Sequence, residues 1–464
     1  MAGRRSVLGV SALACLTLCA LVVLGAGRSG AAITVDVPCS GTGGGTQGLI
    51  DAIDDANSQG GGLISLAPGC TYTITNGSFS HGHGPVGLPI IESSITFAGN
   101  GATIARQPGS APAFRLMEIS AAGNLSLNDM TLTKGNAGTS GPATPGGGAV
   151  LVHRPATLIV TDSLLTGNTS ANGGAISNLA GTVRITGSTL RGNHAADDPG
   201  ATGGAIDNGN GRVIINSSVL THNDATTKGG AIQSPAGIVR LTRSTVSDNR
   251  AFLNAAGGGI FSGGVDKPAT LVVNRSTLSG NKAMGFGGNG GAIANYLNGE
   301  LTVTDSTISN NSAGEPGLAE ANGGGIINFG RGALTTSTIT GNRALGPGGA
   351  VGGIAADKRV TVTASIVAVN GQGNCGGQIR DGGFDLENGT TCGFTNHAVN
   401  GNPHLGPLGN NGGFTLTRAL QPNSAALDVV PPLRSYCEGT VDQRGVSRPQ
   451  GPKCDIGAFE RRSR

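Results

Sequence analysis

"GGAISNLAGTVRITGSTLRGN" occupies residues 173–193, and "GGAIDNGNGRVIINSSVLTHN" restates it at 203–223. "GGAIANYLNGELTVTDSTISNN" begins again at Gly290. Aligned on the closing Asn, the copies form columns. The Asn column is Asn168, Asn193, Asn223, Asn249, Asn281, Asn311, Asn342 and Asn370. Three places earlier stands an aliphatic residue: Leu165, Leu190, Leu220, Val246, Leu278, Ile308, Ile339 and Val367. Five places earlier stands Ser in every copy: Ser163, Ser188, Ser218, Ser244, Ser276, Ser306, Ser337 and Ser365. Each Gly-rich opening ends in an apolar residue, such as Val150, Ile176, Ile206 or Ile232.

Within a copy the apolar residues alternate in three short runs rich in Val, Ile and Thr, which is a strand pattern. No run is long enough to bury a face alone, but stacking equivalent runs from successive copies would do so. Aliphatic residues then pile on aliphatic residues inside. An Asn tolerates the left-handed backbone of a tight corner, and its amide can bond the Asn one coil away. Gly-Gly permits close backbone approach. The fold class expected is all-β, a right-handed parallel β-helix with one copy per coil.

Spacing locates the loops. From the Gly-Gly apolar residue to the Asn it is 16 to 18 residues, with one exception of 21. From the Asn to the next such residue it runs from 8 to 15. Insertions therefore leave along one edge, a common binding edge in solenoids. Upstream, "TQGLIDAIDDAN" (46–57) places Leu49, Ile50, Ile53 and Ala56 on one helical face, suited to capping the open end of the stack. The domain reading is a signal segment at 1–32, a cap segment at 33–62, the β-helix at 63–370 and a Cys-containing C-terminal module at 371–464.

Glycine is 84 of 464 residues, against a usual ~7%. Charged residues are 12%, aromatics 3%, and net charge is +3. With no basic run, neither nucleic acid nor an anionic membrane is an expected partner. Arg4 and Arg5 precede an apolar run and a small-residue site near Ala32, the pattern of an export signal. No second apolar stretch is long enough to span a bilayer. Six cysteines follow that segment, and an even count in an exported chain reads as disulfides. Sequential pairing is the simplest expectation: Cys39–Cys70, Cys375–Cys392 and Cys437–Cys454. The protein is expected to be secreted or held at the cell surface, and monomeric.

The pairing of GGA-[IV] with an apolar-x-x-Asn step resembles the repeat of polymorphic outer-membrane proteins, with Leu, Val or Ile in place of that family's usual Phe. The tail "NPHLGPLGNNGGFTLTRALQPNSAALDVV…DQRGVSRPQGPKCDIGAFE" resembles the choice-of-anchor Q domain of bacterial surface and secreted proteins. The coils are also similar to pectin-lyase-like β-helices, a fold shared by lyases, hydrolases, epimerases and non-enzymes, so fold alone does not select among them.

Two stretches invite a chemical reading. "SHGHG" (80–84) is similar to the Gly-His-Gly motif of polygalacturonases, but the paired acids Asp197 and Asp198 follow it, whereas that family's precede it; it reads here as a Gly-rich loop. Asp197/Asp198 and Glu315/Glu320 lie about four coils apart, roughly 19 Å, too wide for a glycosidase pair. The better constellation is a corner column. One place after the Asn stand His194, Asp224, Arg250 and Lys282; one place before it stand His222 and Asp248. Asp224 and Asp248 are the candidate calcium ligands, and Arg250 or Lys282 a candidate base, as the resemblance to polysaccharide lyases of this fold implies. The competing reading is a solvated corner. The functional expectation is a non-catalytic, adhesin-like module recognising glycan or another surface, without a cofactor. The alternative is a calcium-dependent polysaccharide lyase or a hydrolase acting on an acidic polysaccharide.

Overall fold

The computed structural model describes residues 33–462, apart from 139–145, 197, 318–320, 347–350, 434–435 and 438. The expected signal segment at 1–32, and the acids Asp197 and Glu320, lie outside the described residues.

The chain winds as an all-β, right-handed parallel β-solenoid of about 11 turns. One coil shows the plan. Its strands are Ile176–Asn178, Thr182–Thr186 and Thr189–Arg191, followed by a two-residue strand, His194–Ala195. Each pairs in parallel with its counterpart one copy later: Ile176 with Ile206, Val183 with Val213, Leu190 with Leu220, His194 with Asp224. The fourth strand was not among the three runs read from the sequence. Alternation explains the rest. Val183, Ile185 and Leu190 point inward and are fully buried, while Arg184 and Arg191, each beside one of them, are exposed. Each inward aliphatic side chain contributes roughly 1.5–3 kcal/mol, and stacking supplies the core that a single coil lacks.

Ser and Asn mark two corners. From Asn193 onward each ladder Asn accepts, at Oδ1, both the backbone N–H and the amide of the Asn one coil earlier. Asn193 donates to Asn223 at 3.0 Å, and Asn223 to Asn249 at 2.9 Å, and the ladder runs from Asn168 to Asn370. The serines likewise form a ladder, the Ser188 N–H donating to Ser218 Oγ at 3.2 Å. One expectation is corrected: the left-handed residue is not the ladder Asn but the one before it. Gly192, His222, Asp248 and Val369 have φ of 58°, 55°, 56° and 60°. The Asn is thereby free to turn its amide inward. In the Gly-Gly pair the two residues differ. Gly173 has φ +63°, and a Cβ on Gly174 would lie 2.3 Å from the Gly204 carbonyl oxygen.

At the open end, helix α1 (Gly45–Ser58) buries Leu49, Ala52, Ile53 and Ala56. Ile50 sits at the edge of that face. The ladder begins before this helix, since Ile33–Val37 pairs with Gly61–Leu66. It also runs past Asn370. Cys375–Asp381 pairs with Ile354–Thr363, Leu386 with Ile366, and Val399–Asn400 with Leu386–Glu387. Coils thus occupy about thirty residues of the segment expected to be a separate module.

The remaining tail folds back on the outside of the stack. Thr277 Oγ1 donates to the Leu416 carbonyl, Gln443 Nε2 to Thr277 Oγ1, and Thr307 Oγ1 to Gln443 Oε1. The Ala458 N–H donates to Thr338 Oγ1. Buried Arg448–Glu460 and Arg444–Asp442 pairs tie the tail to itself. Cysteine pairing follows the expected order: Cys39–Cys70, Cys375–Cys392, Cys437–Cys454. Among the described residues no helix is long and apolar enough to cross a membrane.

Candidate functional site

The corner column forms as a ladder. His194, Asp224, Arg250 and Lys282 pair in register on successive coils, followed by Ser312 and Arg343. His194 Nδ1 lies 3.5 Å from Asp224 Oδ2, with 45% and 26% of the two side chains exposed. Arg250 and Lys282 are exposed. Asp248 stands on the other side of the buried Asn249, its Oδ1 against Gly280 of the next coil. His222 bonds its neighbour Thr221. The structure therefore stacks four of the sequence candidates and leaves Asp248 and His222 on a different strip. An open depression of about 450 Å³ is lined by Asp129, Asp162, Thr189 and Arg191 rather than by this column.

A second constellation lies on another face. The strands that open each copy present one outward residue per coil, in register: Glu118, Leu151, Ser177, Asp207, Gln233, Phe261, Ala294, Ile327 and Ala355. Several are buried although they point away from the core.

Its first member gathers charged groups. Glu118 is 0% exposed, on the strand Met117–Ile119. Arg115 Nη1 donates to its Oε2 at 2.9 Å. His83 Nδ1 lies 3.2 Å from Oε1, His153 Nε2 3.0 Å, and His81 Nδ1 3.9 Å. The His83 and His153 rings are 4.5 Å apart, centre to centre. His81 and His83 come from the turn between the paired strands Phe79–Ser80 and Pro85–Val86. Gly82 and Gly84, at φ +81° and +95° with open space around them, let that turn bring both imidazoles to one carboxylate. His153 follows the strand Val150–Val152, one coil on. Burial alone pushes the Glu118 carboxyl up. The hydrogen bond with His153, the Arg115 charge and the His83 contact outweigh it and hold the group below the usual carboxylate range.

Further along, Asp207 meets mainly burial, which pushes its carboxyl up to about 7. Gln233 Oε1 is buried without a hydrogen-bond partner. Phe261, Tyr296 and Phe329 then form a run of rings on three successive coils, 4.9 Å between neighbouring centres. Lys228 Nζ lies 5.0 Å over the Phe261 ring. Ala256, Ala294, Ile327, Val351 and Ala355 complete this exterior apolar cluster.

Sequence reading passed over this face. The two histidines of "SHGHG" read as a loop because their partners, Glu118 and His153, lie 35 and 70 positions beyond His83. An acid at the outward position of an apolar strand, in "RLMEI", was the available signal. The rings were hidden because Phe261 belongs to the strand, while Tyr296 and Phe329 follow buried Asn295 and Asn328.

The fold and face together define a parallel β-helix protein with an elaborated external strip. No family model and no curated protein matches the chain. Among solved structures it is similar to one titled "Crystal structure of pectate lyase Pel9A", at 15% identity and a TM-score of 0.45, covering 93% of this chain and 98% of that one.

Proposed function

We propose that the protein is a secreted or surface-held β-helix that binds an extended polysaccharide, without catalysis, at the part-exposed stretch of this face that carries Asp207, Gln233, Tyr296 and Phe329. The observation that carries this reading is the pair of half-buried rings Tyr296 and Phe329, in a run with the buried Phe261 ring, on the face that also carries Asp207 and Gln233. Aromatic rings offer apolar area with a polar edge. Carboxylate and amide groups beside them suit the mixed C–H and hydroxyl surface of a sugar. Equivalent positions recur about every 4.8 Å along the stack, so a ligand with its own regular repeat can meet several coils at once. Three disulfides fit an oxidising, extracellular compartment. The tail's resemblance to a domain of bacterial surface and secreted proteins points the same way.

Titrating the purified protein with polysaccharides selected on a glycan array tests the reading. Tyr296→Ala and Phe329→Ala should each weaken binding by about tenfold or more, measured well below the melting temperature of each variant because both rings also pack against the apolar cluster. Equal affinity in wild type and both variants would sink it. Calcium-dependent release of unsaturated uronates, lost in Arg250→Ala, would overturn its non-catalytic part and restore the corner column as a lyase site.

A further inference from the structure

We infer that His81, His83, His153 and Glu118 form a binding site for a transition-metal dication of the zinc type, at the N-terminal end of this face. The site would stand whether or not the face binds glycan.

The donor atoms converge. His81, His83 and Glu118 each offer one ligand atom, and these atoms all lie within 4.8 Å of one another. His153 Nε2 reaches the same Glu118 oxygen at 3.0 Å. Four ligands held at ~2.0–2.1 Å around a tetrahedral ion stand roughly 3.3–3.4 Å apart. The separations from Glu118 Oε1 are 3.0, 3.2 and 3.9 Å, and the mutual 4.8 Å group comprises His81, His83 and Glu118, so His153 completes the sphere only by swinging its ring in by about an ångström or more.

Hydrogen bonding alone accounts for less of the arrangement. Glu118 Oε1 has two lone pairs, and His83 and His153 already occupy both. His81 Nδ1, at 3.9 Å, is beyond hydrogen-bond range yet drawn into the same cluster. A cation at the centre gives every one of these atoms a partner. Arg115 grips Oε2, which orients the carboxylate and leaves Oε1 to ligate in monodentate fashion, as an outer-shell partner does in metal sites. The donor chemistry selects the ion: imidazoles with one carboxylate suit zinc, copper, nickel or iron, whereas calcium takes six to eight oxygens.

The test uses untagged full-length protein, stripped with chelator and dialysed. Zinc titrated by calorimetry should bind at one equivalent per chain and raise the melting temperature. Cobalt should give a visible ligand-field band that zinc removes and calcium does not. The double variant His81→Ala/His83→Ala also removes the His83 contact to buried Glu118, so its metal-free melting temperature is measured beside that of metal-free wild type and its binding is read on folded protein. Its zinc affinity should fall more than about tenfold, and its cobalt band should vanish. His153→Gln, on a separate coil, should also lose the band. Wild type without saturable zinc binding, a double variant that binds as wild type, or calcium displacing cobalt would each overturn the inference.

Discussion

An asparagine in the ladder serves two coils at once. Asn223 accepts the backbone N–H and the amide of Asn193, and donates its own amide to Asn249 and to the Leu190 carbonyl. It is 0% exposed, so no water can replace those bonds. Asn223→Ala should therefore cost about 1–3 kcal/mol through the groups it strands. Thr221→Ala, two positions away and half-buried, loses only part-exposed side-chain hydrogen bonds with His222 and Ser247 and should cost less, about 0.5–1 kcal/mol. Urea midpoints of the two variants measure this, and equal midpoints would contradict the ladder as a source of stability. The residue before each Asn carries the left-handed turn, and its identities (Gly167, Gly192, His222, Asp248, Gly280, Asn310, Gly341, Val369) include Gly four times. The Asn column was legible because it repeats. The division of labour at the corner was not, since Asn is itself a turn residue and its own backbone angle cannot be read from its type.

At the scale of elements, the tail decides which outward residues stay open. Thr277, Thr307 and Thr338 begin successive strands and are buried to 2% or less, whereas Thr189 and Thr245 at the same position in earlier coils are half-buried. The difference is the strap formed by the hairpin Leu405–Gly409/Thr417–Leu420 and the segment around Gln443. Gln443 bridges Thr277 and Thr307 within a buried network that also includes Thr415. Gln443→Ala should cost about 1–3 kcal/mol. It should also raise amide exchange in 405–420 and 440–460 while leaving coils 176–249 as protected as before. Equal loss of protection in those coils would refute a role confined to the strap. The "DQRG" and "GAFE" segments thus serve the architecture, since Asp442 with Arg444 and Glu460 with Arg448 lock the strap. Sequence reading placed a separate module here because the repeat columns end at Asn370, although strand pairing persists to Asn400.

Across the whole molecule, covalent and non-covalent restraints are divided. The disulfides lie at the ends, with none between Cys70 and Cys375, where the Asn and Ser ladders run. Solenoid stability is close to a sum of coil and neighbour terms, so its ends can open separately. Reduction should raise hydrogen exchange in 33–70 and 371–462 before the coils between 176 and 311. Uniform loss of protection would count against this division.

By itself the sequence determined the coil. Its period, its inward aliphatic residues and its polar corners recur often enough that stacking is the one arrangement burying them all, and the odd loop lengths leave along one edge. It also sufficed for the cap helix, because that depends on local spacing, whereas the sequential order of the disulfides was the simplest of several possible pairings and only the structure fixed it. Only the tertiary structure decided which outward residues meet. His83, Glu118 and His153 occur once each, on neighbouring coils, so no column announces them. Tyr296 and Phe329 share one column, following Asn295 and Asn328, and Phe261 meets them from a position two residues earlier in the register, on the preceding coil. Repetition makes a core legible from sequence, while a site is built from the residues that break the repeat, and their meeting depends on the register of the stack.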